Sequence, residues 1–304
     1  MRMKRKKKFQ GTATALVTPF RQDGSLDEST LRKLVDWQIA SGVEGLVPCG
    51  TTGENPTLSD NEHRRVVEVV IEQTRGRAVV IAGAGSNDTN KAIKLAKFAE
   101  EAGADYALVV GPYYNKPTQE GYYQHFKAVA DAVEIPIIIY NVPGRTGGNI
   151  EPTTVLRLAE RVENIVGVKE ASGNIGQIME IARRKPAHFS LLSGDDAITL
   201  PLMAVGGDGC ISVAANEVPK EFSDLVRLCL KGKWKKALTI HNKLLDLMNV
   251  NFIESNPIPV KAALAMMGRI SEVYRLPLVP LSDKNREKLK SVLSELDLIE
   301  VTQK

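Results

Sequence analysis

Residues 165–170 read Ile-Val-Gly-Val-Lys-Glu, a short apolar run that ends on a lysine and an acid. Similar runs occupy 13–17, 45–47, 79–82, 106–110, 135–140, 189–192 and 209–213. Most are continuously apolar rather than alternating, the pattern of strands covered on both faces. Helical segments lie between them. Residues 29–41 bring Leu31, Leu34, Val35 and Ile39 near one face, and 88–102 bring Ala92, Leu95, Ala96, Ala99 and Ala102 onto one stripe. Residues 60–75 carry Val66, Val67, Val70 and Ile71, and 119–132, 152–162, 174–184, 196–205 and 219–229 complete the set. Pro152 and Pro219 stand where a first helical turn tolerates proline. Strand–helix alternation implies parallel βαβ units, and eight of them close a barrel. The expected class is therefore α/β, a (β/α)8 TIM barrel over 9–232. From Lys233 onward only helical patterns remain, so 233–304 reads as a C-terminal helical extension.

The formal net charge of +4 is concentrated at one end. Arg2, Lys4, Arg5, Lys6, Lys7 and Lys8 crowd into residues 1–8, which read as a frayed basic tail. Without these six, 34 basic residues face 36 acidic ones. The tail lacks the aromatic residues that would accompany nucleic-acid binding, so no nucleic-acid or membrane partner is expected. No apolar run approaches the roughly 18 residues of a membrane span, and no apolar stretch of a secretory signal follows the basic start. Cys49, Cys210 and Cys229 are odd in number and far apart, which suits a reducing, cytoplasmic setting. His63, His125, His188 and His241 are too scattered for a zinc motif. Neither a metal nor a cofactor is expected.

In such a barrel the chemistry sits where the strands end. Gly50-Thr51-Thr52-Gly53-Glu54 follows the second run, Gly111-Pro112-Tyr113-Tyr114-Asn115 the fourth, and Tyr140 to Arg145 the fifth. Lys169-Glu170 ends the sixth, Ser193-Gly194-Asp195-Asp196 the seventh, and Ser212 the eighth. These ends offer an amine, hydroxyls, a guanidinium and a glycine turn, but no histidine, which disfavours Ser-His-Asp chemistry. Two readings of Lys169 stand side by side: a nucleophile, or a lysine reaching solvent or pairing with Glu170. Its place at a strand's catalytic end favours the first. Taking an amine out of water favours its uncharged form, and an uncharged amine attacks a ketone to give an imine. The Gly50–Gly53 turn suits a small carboxylate, or is an ordinary turn. Arg145 suits a second carboxylate, or a surface ion pair. Tyr140 and Tyr114 could move protons, or simply pack. Gly206-Gly207-Asp208-Gly209 precedes the eighth strand, at the opposite barrel face, and reads as a turn.

These motifs, together with Tyr140-Asn141-Val142-Pro143-Gly144-Arg145-Thr146-Gly147, resemble the dihydrodipicolinate synthase family of pyruvate-dependent class I aldolases. The resemblance runs from Phe9 to about Leu298. It implies a lyase of diaminopimelate and lysine biosynthesis that condenses pyruvate with L-aspartate 4-semialdehyde. It further implies that Lys169 forms the Schiff base and that Thr51, Tyr140 and Tyr114 relay protons, with Tyr114 coming from a neighbouring subunit of a homotetramer built as a dimer of dimers. Thr51 and Thr52 would bind pyruvate, Arg145 the semialdehyde's carboxylate, and Gly194 and Ile211 would line the pocket through their backbone.

Sialic acid (N-acetylneuraminate) lyases and hydroxy-oxo-acid aldolases resemble the chain in lysine and tyrosine, so another pyruvate-dependent lyase is the alternative. Arg145 separates the readings, because those relatives generally lack an arginine there. A noncatalytic keto-acid-binding barrel is a third possibility, against which the hydroxyl relay argues. A pyridoxal-phosphate barrel would need a phosphate loop after strand seven or eight, and none is seen. Feedback-inhibited members resemble the chain at His63, Asn87 and Tyr113, which would line a lysine-effector cleft. Lys91 stands where those members carry a carboxylate, so inhibition by lysine is expected to be weak or absent unless another acid compensates.

Overall fold

The computed structural model describes residues 8–300. The chain runs β1 (Gly11–Ala15), α1 (Glu28–Ala40), β2 (Gly45–Val47), α2 (Asp60–Thr74), β3 (Val79–Gly83), α3 (Thr89–Glu101), β4 (Tyr106–Val110), α4 (Gln119–Asp131), β5 (Ile137–Asn141) and α5 (Pro143–Thr146). It continues α6 (Pro152–Arg161), β6 (Ile165–Glu170), α7 (Ile175–Arg184), β7 (Ser190–Ser193), α8 (Thr199–Ala204), β8 (Gly209–Ser212) and α9 (Pro219–Leu230). Three helices follow: α10 (Trp234–Val250), α11 (Ile258–Met266) and α12 (Asp283–Glu295). The eight strands close in sequence order into one parallel barrel, with β8 against β1.

Local chemistry sets the element ends. Ser59 and Glu62 form a reciprocal capping box on α2, and proline opens α6 and α9. Strand β5 starts at Ile137 instead of residue 135 because Pro136 has no N–H for the ladder. Strand β1 lies two residues earlier than the sequence suggests. The Leu16 amide makes the last bond to β2, donating to the Val47 carbonyl at 3.1 Å, and the Val17 amide turns to Asn216 Oδ1 at 3.2 Å.

One apolar group fills the barrel, with Ala13, Val47, Ile81, Ile138, Leu192 and Ile211 among its members. A second lies between the strands and the surrounding helices. A third, with Phe222, Leu244, Met248, Leu289 and Leu293, joins α9 to the C-terminal helices. Asp208 lies at the N-terminal face, paired with Lys185 at 2.8 Å and Lys8 at 2.6 Å, which agrees with a turn there. Lys8 is thus anchored, while residues 1–7 of the expected tail lie outside the described residues.

Between β5 and β6 the pairing shifts by one. Ile137 faces Ile165, but Ile138 faces Gly167, and from there Tyr140 faces Lys169. Val166 is the extra residue of this bulge. Beyond it side chains alternate. Val168 joins the outer core, Lys169 turns inward, and the Glu170 carboxylate accepts from Asn141 and Gln177, each at 3.0 Å.

Candidate active site

Lys169 is 5% exposed, and its Nζ stands 4.2 Å from the centroid of the Tyr140 ring. It has no salt-bridge partner among the described residues. The neighbouring acid is occupied elsewhere: Glu170 also accepts from the Ser172 amide at 2.7 Å. Pairing with Glu170 is thereby excluded, and at 5% exposure the side chain does not extend into bulk solvent. The amine lines an inner cavity of about 120 Å³ together with Thr51, Thr52, Tyr140, Arg145 and Gly194. The cross-strand pairing of Tyr140 with Lys169 and of Lys169 with Leu192 fixes this meeting by backbone geometry.

The Thr51-Thr52 turn is held from several sides. The Thr18 hydroxyl donates to the Gly53 carbonyl at 2.7 Å. A Cβ on Gly83 would collide with the Cys49 carbonyl and the Gly50 amide, so only glycine lets this turn lie on β3. Glu54 adopts a left-handed conformation at φ 54° and is ion-paired with Lys261 of α11, both side chains being fully buried. The Thr52 hydroxyl accepts from Asn256 Nδ2 at 3.0 Å. Neither Gly83, Asn256 nor Lys261 drew a role from the sequence.

Arg145 rides on α5, a single turn too short to leave a periodic signal. Its Nη2 donates to the Asn256 carbonyl at 3.1 Å. It borders the inner cavity and an outer one of about 260 Å³, which Cys49, Gly85, Tyr113 and Val142 also line. Burial raises the Cys49 thiol well above its ordinary value, which leaves it a poor nucleophile beside the amine. Ile211 is buried in the barrel interior on β8, which pairs with the strand that Gly194 directly follows.

Tyr114 does not meet these residues within one chain. It is 90% exposed on a left-handed backbone at φ 71°. The effector group divides. His63 is buried, with Nδ1 2.7 Å from Asn55 Oδ1. Burial pushes its imidazole down to about 4 against the pull of the Gly83 carbonyl, so it is neutral near pH 7. Tyr113 is partly exposed, and the Asn87 carbonyl accepts from Asn115 Nδ2 at 2.9 Å. Lys91 is exposed, and Asp60 lies 3.7 Å from its Nζ, an acid beside the amine. Among the described residues no cluster of three histidines, cysteines or acids could hold a metal, and no helix is long and apolar enough to cross a membrane.

Known proteins resemble the chain in sequence and fold over nearly its whole length. A 4-hydroxy-tetrahydrodipicolinate synthase of Koribacter versatilis is 56% identical over 293 residues, covering 96% of this chain and 97% of that one. The crystal structure of a dihydrodipicolinate synthase from Aquifex aeolicus superimposes with a TM-score of 0.94 at 49% identity, covering 95% of this chain and 99% of that one. Another from Acinetobacter baumannii, complexed with pyruvate, gives 0.94 at 46% identity over 95% and 99%. The model of the dihydrodipicolinate synthetase family matches residues 8–296, and on that span of fold and sequence the chain belongs to this family.

Proposed function

We propose that the chain acts as a 4-hydroxy-tetrahydrodipicolinate synthase, a Schiff-base lyase that joins pyruvate to L-aspartate 4-semialdehyde. The observation that carries this reading is Lys169: buried, unpaired by any acid among the described residues, and set against Tyr140 in a cavity shared with Thr51, Thr52 and Arg145. The Acinetobacter relative solved with pyruvate supports the first substrate.

The Lys169 amine adds to the pyruvate ketone and water leaves, giving an imine. The imine draws electrons from the adjacent methyl group, and Tyr140 accepts or relays the proton lost there. The enamine carbon attacks the semialdehyde carbonyl. The amine of that adduct then closes on the imine carbon, breaks the bond to Lys169 and frees the lysine and a six-membered ring. Thr51 and Thr52 hold the first carboxylate and Arg145 the second, which brings two anions together in reacting order. Tyr114 serves the relay of a neighbouring subunit in a homotetrameric, cytoplasmic enzyme.

Borohydride treatment in the presence of pyruvate tests this. The imine is reduced to a stable amine, and mass spectrometry is expected to find the adduct on Lys169 and none after Lys169→Ala. An adduct on another residue, or none, overturns the reading. Turnover of N-acetylneuraminate in preference to the semialdehyde would favour the other pyruvate-lyase reading, against which Arg145 argues.

A further inference from the structure

The two carboxylate-binding groups come from different parts of the barrel, Thr52 after β2 and Arg145 on α5. One residue of the helical extension touches both. Asn256, in the loop before α11, donates from its side-chain Nδ2 to the Thr52 hydroxyl at 3.0 Å and accepts from Arg145 Nη2 on its backbone carbonyl at 3.1 Å. It is 5% exposed, it borders the cavity that holds Lys169, and its Oδ1 is buried with no partner.

We propose that Asn256 is a positioning residue that presets the Thr52 hydroxyl as a hydrogen-bond donor to the pyruvate carboxylate and anchors Arg145 for the second substrate. A hydroxyl has one hydrogen and two lone pairs. Asn256 Nδ2 occupies a lone pair, and among the described residues nothing accepts the Thr52 hydrogen. That hydrogen is left for an anion entering the cavity. The guanidinium has five N–H groups and gives one to the Asn256 carbonyl, which keeps the others for a second carboxylate. The two contacts use different parts of Asn256, so they separate by mutation.

The inference rests on the Lys169 reading, and the trapping reaction keeps the two apart. Asn256→Ala removes the amide and keeps the carbonyl. The pyruvate concentration for half-maximal trapping, and the pyruvate KM, are expected to rise about 2- to 12-fold, the worth of one neutral hydrogen bond. The semialdehyde KM should stay within about two-fold, because the Arg145 contact is untouched. Asn256→Asp has the same shape but offers only acceptors. It would take the Thr52 hydrogen and set a negative charge beside the incoming carboxylate, so its pyruvate KM should rise further than that of Asn256→Ala. This deficit should shrink as the pH is lowered from about 8 to about 5.5, because a protonated carboxyl can donate again. Adding Asn256→Ala to Thr52→Val should cost nothing more.

A wild-type protein that gives no adduct removes the Lys169 reading itself. Wild-type trapping, with Asn256→Ala and Asn256→Asp equally impaired or with both KM values moving together, overturns only the role of Asn256. Should Asn256→Ala fail to fold, the isosteric Asn256→Asp and its pH profile decide alone.

Discussion

A methyl group added at Gly194 would sit 2.9 Å from Cε and 3.0 Å from Cγ of Lys169, and 2.8 Å from Cβ of Ala171. The lysine cannot retreat freely, because the Tyr140 ring stands on its other side. Gly194→Ala is therefore expected to displace the amine and lower kcat on the order of 10²-fold, as small misplacements of reacting groups do. Overpacking should lower stability by only about 1–3 kcal/mol. Burst trapping with pyruvate and a urea titration measure the two effects; trapping at the wild-type rate would sink the argument. Lys169 was visible in the sequence because an apolar run delivered it to a strand end. Tyr140 and Thr51 were visible for the same reason. Asn256 was not, since its importance lies in touching residues 204 and 111 positions away, and no periodicity encodes such a meeting.

Among the elements, the strands and long helices were legible because burial on one stripe or two faces writes itself into the order of apolar residues. Three features were not. Helix α5 is one turn long, β5 is trimmed by a proline, and α11 is buried almost all round, so its Lys261 looked like an ordinary helical residue. In the structure Lys261 and Glu54 form an ion pair without solvent, ringed by Phe20 and Tyr274, and tie α11 to the threonine turn. Glu54 also accepts from the Arg275 amide at 3.4 Å. Removing one partner of such a pair leaves a buried charge, so Lys261→Met and Glu54→Gln should each cost about 3–5 kcal/mol. Making both changes together should recover most of that loss. Denaturant midpoints of the two single variants and the double one form the cycle; strictly additive losses would count against the pair.

For the molecule as a whole, Tyr114 is the residue that a single chain leaves unexplained: a large ring, 90% exposed, on a left-handed backbone. If it serves a neighbour, the defect of Tyr114→Phe and that of Lys169→Ala lie in different subunits of one shared site. Tyr114→Phe should lower kcat about 10²–10⁴-fold, the usual worth of a proton-transfer group. Mixing the two variants through dissociation and reassembly should restore function. In two-fold pairs half the dimers are mixed and each has one complete site, so about a quarter of the wild-type rate is expected. A mixture no more active than its components would mean that Tyr114 does not cross between subunits.

The bulge at Val166 has a consequence for heredity as well as for shape. Were Val166 paired in a regular ladder instead of set aside, Tyr140 would face Val168, and an inert isopropyl group would stand where the amine belongs. A single-codon insertion between Gly167 and Lys169 would set the lysine opposite Asn141, on the other face of the strand, and abolish the chemistry while leaving every reactive side chain in the gene. The spelling of the strand, down to its count, is inherited as part of the catalyst.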